Sequence, residues 1–383
     1  MTEFPAFSFA AAGRILFGRG RATEAAGIVS ALGRRPLLVH GSDAARAAWL
    51  RHALPRCTSI ACPGEPSLPL LESATEMARR AGADVVVALG GGAAIDLGKA
   101  VAALAAAGGD PLDHLEVVGR GLPLTAAPLP LVAIPTTAGT GAEVTKNAVI
   151  GVPEHRRKVS LRDDRMLPDV ALIDPALTDG LPWRITLASG LDALTQVIEP
   201  YLSARATPMT DALTRAAIPQ ALPALRRLER GEDPGARDAM AYVSLTGGLA
   251  LANSGLGAVH GFAGVIGGLT GAAHGAVCGA LLAPVLRALA AHAAPDSVLA
   301  ARLGEVAAWL SAPLGCAPEQ AFDRLGDWAH GAGLPGLAAL GVEAATTGSI
   351  AEQSRGSSSM KGSAIAFTAP QLQAILEDAL SAG

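Results

Sequence analysis

Four short apolar runs separated by helical stretches constrain this 383-residue chain more than any other feature. They are PLLVH at 36–40, DVVVAL at 84–89, LVAI at 131–134 and VALI at 170–173. A strand with one solvated face alternates apolar and polar side chains. These runs are almost wholly apolar, so both faces have to be covered. Continuous apolar strands alternating with helices predict a parallel sheet buried on both sides. An Ala-rich helix from about Asp43 and another from Ala93 to about Ala107 supply part of that cover. Beyond Asp174 and Pro175 the strand signals fade, and Ala/Leu-rich helical segments continue to the end. Pro168, Pro175 and Pro182 cluster at this change. The expected organisation is an α/β domain over residues 1–180 followed by an all-helical domain over 181–383.

Composition narrows the function classes. Hydrophobic residues make up 50% and charged residues 17%, enough apolar material for large cores, which excludes a disordered chain. A net charge of −4 with 3% aromatic residues argues against a nucleic-acid or anionic-membrane partner. No Asp, Glu, Lys or Arg occurs from Ala239 to Leu286. A membrane-spanning helix needs about 20 mostly apolar residues, but Gly, Ser, Asn253, His260 and His274 interrupt this run. It reads as helices buried within the second domain rather than a membrane pair. The opening MTEFPAFSFAAAGR has no basic segment ahead of an apolar run, so no signal peptide is expected. Cys57, Cys62, Cys278 and Cys316 form no CxxC or zinc-ribbon pair and read as free thiols in a reducing cytosol.

Four motifs carry chemistry. ALGGGAAID (88–96) places three glycines between a buried strand and a helix. Backbone N–H groups there can approach a pyrophosphate, and the helix N-terminus adds partial positive charge. A turn that requires positive φ angles is the structural alternative. It is not GxGxxG, so no ordinary Rossmann fingerprint is present. PTTAGTGAEVT (135–145) follows another strand, and its hydroxyls and N–H groups suit a cofactor's phosphates, ribose or amide. As readily, it is a polar loop that caps the next element. In SGLDALTQ (189–196), Asp192 and Gln196 are four apart on one helix face. AVHG and AAHG place His260 and His274 in the uncharged run. A lone buried histidine is usually structural, but two of them with Asp192 available suit a catalytic divalent metal with an open position.

In this order, GGGAAIDLGK, PTTAGTGAEVT, GLDALTQVIEPY and GAVHG…AAHG resemble the iron-containing (group III) alcohol dehydrogenases, and RILFGRG (14–20) is similar to that family's first strand. The resemblance extends over nearly the whole chain. It implies a dinucleotide-binding α/β domain, an all-α C-terminal domain of the dehydroquinate synthase-like type, and a metal between them. It also implies reversible hydride transfer between NAD(P)H and an alcohol paired with its aldehyde or ketone. By the same resemblance, Gly90, Gly91, Gly92, Ala93 and Asp96 belong to the cofactor loop, with Lys99 following. Thr136, Thr137 and Thr140 fall in a second cofactor loop, and Lys158 lies near the cofactor. Asp192, His260 and His274 match the metal-ligand positions and would act through the metal.

The departures are specific. Ala93 and Ala142 replace the family's usual serines. Gln196 stands where the iron enzymes have a histidine ligand, and is at most a weak amide donor. Gly264 stands where a further histidine is common. The remaining Asp/His/His set resembles glycerol dehydrogenase, so the expected ion is Fe2+ or Zn2+. The turn His40, Gly41, Ser42 lacks the Asp that binds a ribose 2′-OH. Gly41 and Ser42, with Arg46 nearby, suit a 2′-phosphate and favour NADP over NAD. The alternatives are a maleylacetate reductase-like enzyme, a non-redox relative of the dehydroquinate synthase kind, and a metal-free dinucleotide binder. A cytoplasmic homodimer acting on a small-molecule substrate is expected.

Overall fold

The computed structural model describes residues 5–107, 109–155 and 157–381. Its strands are β1 (Arg14–Phe17), β2 (Pro36–His40), β3 (Thr58–Ala61), β4 (Val85–Gly90), β5 (Leu131–Pro135), β6 (Asn147–Val152), β7 (Arg157–Arg162) and β8 (Val170–Ile173). The helices among them are α1 (Ala25–Leu32), α2 (Ala48–Ala53), α3 (Leu68–Ala81), α4 (Gly92–Ala107) and α5 (Pro111–His114). Then follow α6 (Trp183–Leu202), α7 (Pro208–Leu228), α8 (Pro234–Ser254), α9 (Ala258–Thr270), α10 (His274–His292), α11 (Val298–Leu314), α12 (Ala321–Gly331), α13 (Thr347–Arg355) and α14 (Ala369–Ser381).

Six strands form one sheet in the order β1-β8-β5-β4-β2-β3, and every pairing in it is parallel. The four apolar runs are β2, β4, β5 and β8, each buried along its whole length. Their side chains alternate between two cores. Leu37, Val39, Val86, Ala88, Leu131 and Ala133 enter one, while Leu38, Val85, Val87, Leu89, Val132 and Ile134 enter the other. The period-2 pleat thus feeds both faces, and His40 at the end of β2 is the one polar side chain along these four strands.

Two strand regions carry weaker signals. β3 lies at the sheet edge and is only half-buried, so TSIA shows no apolar run. β6 and β7 form a separate antiparallel pair whose buried residues alternate, with Ala148, Ile150 and Val152 inward on β6. The helix expected from about Asp43 begins as a short 3₁₀ turn (Ala44–Ala47), with the Asp43 carboxylate accepting from the Ala45 N–H at 2.9 Å, before α2.

The chain order of the sheet reverses at β2. From there it steps outward to β3, then returns to β4 on the other side and continues to β5. In open parallel sheets the crevice at the carboxyl ends of strands flanking such a reversal is where ligands bind. Here those ends carry Gly41 and Ser42 after β2 and Gly90, Gly91 and Gly92 at the end of β4.

Residues 180–381 contain no strand among the described residues. Their helices share one large core, centred on α6, from which Leu187, Leu191, Leu194, Val197, Ile198 and Tyr201 are buried. The uncharged run from Ala239 to Leu286 spans α8, α9 and the first part of α10. By length and composition α10 could cross a membrane, but Val277, Cys278, Leu281, Leu282, Val285 and Leu286 lie in this helical core. Two compact units result: residues 11–137 with 141–179, and residues 180–381 with 5–10 and 138–140. The two small inclusions have local causes. Asn253 on α8 exchanges two hydrogen bonds with the backbone of Ala10, at 2.6 and 2.9 Å. Gly139 sits so close to α6 that a Cβ there would lie 2.9 Å from Ser189 Cβ.

Candidate active site

In the sheet unit, the expected dinucleotide loops gather at the carboxyl ends of β2, β4 and β5. None of Gly90, Gly91 and Gly92 has a positive φ, so the turn-strain explanation for the glycines fails. Close approach explains them instead. A Cβ on Gly90 would lie 2.6 Å from Ala94 Cβ and 3.2 Å from the Gly41 nitrogen, and one on Gly91 would lie 3.3 Å from Thr137 Oγ1. The Thr136 N–H donates to the Gly90 carbonyl at 2.9 Å, tying the loops after β4 and β5 together. The 16-residue α4 starts at Gly92 and directs its N-terminus to this point. Ala93 lies in its first turn. Thr140 belongs to the segment that packs with the helical unit.

Asp96 and Lys158 each have partners within the sheet unit. Asp96 Oδ1 lies 3.0 Å from Lys99 Nζ, and its Oδ2 accepts from the Val149 N–H at 3.0 Å. Lys99, wholly buried, also donates to Thr145 Oγ1 at 2.8 Å and to the Asn147 carbonyl. These bonds pin the β6–β7 pair to α4. Burial raises the Asp96 pKa, against the opposing pull of Lys99 and the Val149 N–H. Lys158 on β7 pairs with Glu65 at 3.5 Å.

In the helical unit, three helices bring Asp192, His260 and His274 together. Asp192 and Gln196 leave the same face of α6, His260 lies in the first turn of α9, and His274 opens α10. Glycines make the approach possible. A Cβ on Gly275 would lie 2.5 Å from the Ala188 carbonyl oxygen, and one on Gly247 of α8 would lie 3.0 Å from Gln196 Cβ. His260 Nε2 is 3.4 Å from Asp192 Oδ1, and His274 Nε2 is 3.9 Å from the same oxygen. Cys278, one turn beyond His274, completes a group in which one ligand atom from each of the four residues lies within 4.8 Å of the others. This cysteine does not stand out in the sequence because it belongs to no CxxC-type pair. Its signal was the i, i+4 relation to His274 on one helix.

Glu199 is the second residue that the motifs did not reveal. Its Oε2 accepts from His260 Nδ1 at 2.6 Å and its Oε1 from the Val259 N–H at 2.7 Å. With Nδ1 held by the Glu199 carboxylate, the ring directs its Nε2 toward Asp192. Gly257 leaves the space for this, since a Cβ there would lie 2.7 Å from Glu199 Oε1.

Within the cluster the carboxylate and the imidazoles favour each other's charged forms. Burial would push the Asp192 carboxyl up, but His274 and His260 outweigh it and hold its pKa below the ordinary value. Burial would likewise lower both imidazoles. Cys278 and Asp192 overcome it and raise His274 to about 9, and with Glu199 they raise His260 as well. Yet Asp192 Oδ1, His260 Nε2 and Gln196 Oε1 are all buried without a hydrogen-bond partner. Buried polar atoms are almost always paired, so this orphaned set of a carboxylate, an imidazole nitrogen and an amide oxygen fits a divalent ion. The His274 side chain is 33% exposed, which leaves the group reachable from solvent.

Comparison with known proteins agrees with both halves. Residues 12–175 match the family described as iron-containing alcohol dehydrogenase, and residues 186–380 match the C-terminal domain of the Fe-containing alcohol dehydrogenase family. Alcohol dehydrogenase 4 of Schizosaccharomyces pombe is 37% identical over 68% of this chain and 60% of its own length, so the chain spans somewhat less than two thirds of that relative. The NAD-dependent methanol dehydrogenase of Bacillus methanolicus is 35% identical over 73% of this chain and 72% of its own. A crystal structure of 1,3-propanediol oxidoreductase superposes with a TM-score of 0.86 at 28% identity, covering 98% of this chain and 100% of that one. A doubly covered parallel sheet, a helical unit with the Asp192, His260 and His274 cluster, and a family match running through both lead to one conclusion: the chain belongs to the iron-containing alcohol dehydrogenase family.

Proposed function

We propose that the chain is an NAD(P)-dependent oxidoreductase interconverting an alcohol with its aldehyde or ketone, and that Asp192, His260 and His274 hold one divalent ion, Fe2+ or Zn2+. The observation that carries this reading is the convergence of buried, unpartnered ligand atoms on one point. When bound, the ion supplies Lewis acidity to the substrate oxygen and the nicotinamide supplies the hydride. The chain's own residues do the positioning. Glu199 fixes the His260 tautomer, and Asp192 contributes negative charge from a buried position. The backbone of Gly90, Gly91 and Gly92 with the α4 N-terminus suits a pyrophosphate, and Thr136 and Thr137 flank it. Thr140, Ala93 and Lys158 complete the proposed cofactor set by family position. Asp96 supports it indirectly, as the strut that holds α4 to β6. Gln196 is at most a weak fourth donor.

For the second phosphate position we favour NADP. Gly41 and Ser42 follow β2 without a carboxylate, and the Asp43 side chain is engaged in capping its own turn. Arg46 is close in sequence, but its guanidinium donates to the Leu177 carbonyl at 2.6 Å and would have to turn toward a 2′-phosphate. The Bacillus methanolicus relative is named as NAD-dependent, so the choice is one this chain's own turn has to make. A cytoplasmic homodimer completes the proposal. Assaying aldehyde-dependent oxidation of NADPH and NADH, after reconstitution with Fe2+ or Zn2+, tests the reading. Turnover that needs the metal supports it, and turnover indifferent to metal, or none with any aldehyde or ketone, counts against it.

A further inference from the structure

Cys278 is the one member of the cluster that this reading leaves unused. It is fully buried, and it leaves the same face of α10 as His274, one turn away. Its Sγ lies 3.6 Å from His274 Nε2. A tetrahedral ion with bonds of about 2.0–2.1 Å to nitrogen or oxygen and about 2.3 Å to sulfur keeps N and O roughly 3.3 Å apart, and N and S roughly 3.6 Å apart. Here His260 Nε2 and Asp192 Oδ1 are 3.4 Å apart, and His274 Nε2 and Cys278 Sγ are 3.6 Å apart. Both spacings match edges of one tetrahedron. The third, 3.9 Å from His274 Nε2 to Asp192 Oδ1, asks for a small side-chain shift. Independently, Asp192 Oδ1 and His260 Nε2 are buried and unpartnered, so the same corner of the fold already points to an ion.

Building on the divalent-ion reading above, we propose that the Cys278 thiolate is the fourth protein ligand, making the site Asp192/His260/His274/Cys278. Charge favours sulfur over the rival donor. A dication whose only anionic direct ligand is Asp192 keeps a net positive charge among its ligands, whereas a second anionic ligand neutralises it. Gln196 offers a neutral amide oxygen and cannot do this. On binding, the ion replaces the thiol proton, which leaves to solvent. A thiolate in the set selects for softer ions, so zinc and cobalt are retained over magnesium and manganese. Catalytic zinc sites expand to five donors, so the thiolate leaves room for a substrate oxygen.

Cobalt reads its ligands out directly. Metal-free, full-length protein titrated with Co2+ should develop a sulfur-to-cobalt charge-transfer band in the near ultraviolet, saturating at one equivalent. Cys278→Ser should bind cobalt without that band and hold zinc roughly tenfold or more weakly by chelator competition. Gln196→Leu should keep the band. Wild type that binds one equivalent of cobalt without the band overturns the inference, as does an undiminished band in Cys278→Ser. Either result leaves the Asp/His/His ion and the proposed activity standing. Failure of the wild type to bind cobalt at all overturns both. The wild-type spectrum is decisive even if the serine variant does not fold.

Discussion

Glu199 makes no direct contribution to the chemistry, yet both its oxygens are engaged, one on the His260 ring and one on the first turn of α9. Carboxylates placed this way raise the basicity of a metal-bound imidazole and fix its ring, and losing one typically weakens metal affinity about 10–100-fold. Glu199→Gln is expected to weaken zinc binding within that range, measured by chelator competition, while the metal-free protein melts near the wild-type temperature. Unchanged zinc affinity would mean that Glu199 only caps α9. Glu143, in the loop after β5, makes a separate pH prediction. Burial raises its pKa to about 7 against the pull of its own N–H and of Lys99. The folded protein therefore keeps this proton after the unfolded chain has lost it. The resulting stabilisation is fully present below the ordinary value of 4.5 and is lost as pH rises through about 7. Relative to wild type, Glu143→Gln should gain about 2–3 kcal/mol between about pH 5 and about pH 8, read from urea unfolding. A stability difference that does not change with pH would refute this assignment.

At the scale of elements, the turn from β4 into α4 and the turn after β2 carry the cofactor reading. The glycines there are set by space rather than by φ, and that separates fold from function. A Cβ at Gly91 meets Thr137 Oγ1 at 3.3 Å, a contact that a small adjustment relieves. Gly91→Val should therefore fold, yet occupy the room a pyrophosphate needs, and NAD(P)H binding followed by fluorescence titration should be lost. Wild-type affinity in a folded variant would remove the dinucleotide from this turn. Gly41 has open space around a Cβ, so Gly41→Asp is accommodated. A carboxylate near a 2′-phosphate costs about 1–4 kcal/mol at a few ångströms, and the NADPH-to-NADH ratio of kcat/KM should fall at least about tenfold. A wild type that already prefers NADH would contradict the NADP assignment. The sequence reading reached these two turns because strands buried on both faces are written as unbroken apolar runs. It did not reach β3, whose edge position leaves it half-buried, or the β6–β7 pair, whose alternating burial dilutes the apolar signal. The Asp96–Lys99 strut was equally hidden, because its partners Val149, Thr145 and Asn147 lie about 50 residues away in sequence.

For the molecule as a whole, the contrast between a strand-rich first half and a strand-free second half was legible from the point where apolar runs give way to helical periodicity. The small inclusions of residues 5–10 and 138–140 in the helical unit were not, since they rest on tertiary contacts such as those of Ala10 with Asn253 and of Ala138 with the helical core. The candidate site was legible in part. Asp192, His260 and His274 stood out as polar residues in apolar surroundings, whereas Cys278 and Glu199 became visible only when α6, α9 and α10 were brought together. By the proposed function, this cluster binds one divalent ion on which turnover depends. Elemental analysis, paired with aldehyde-dependent NAD(P)H oxidation, of wild type and His274→Ala after identical reconstitution with Fe2+ or Zn2+ tests it most directly. Wild type should hold one ion per chain and turn over only with metal, and His274→Ala should lose both. Equal, substoichiometric metal in the two proteins, with turnover indifferent to added metal, would contradict it.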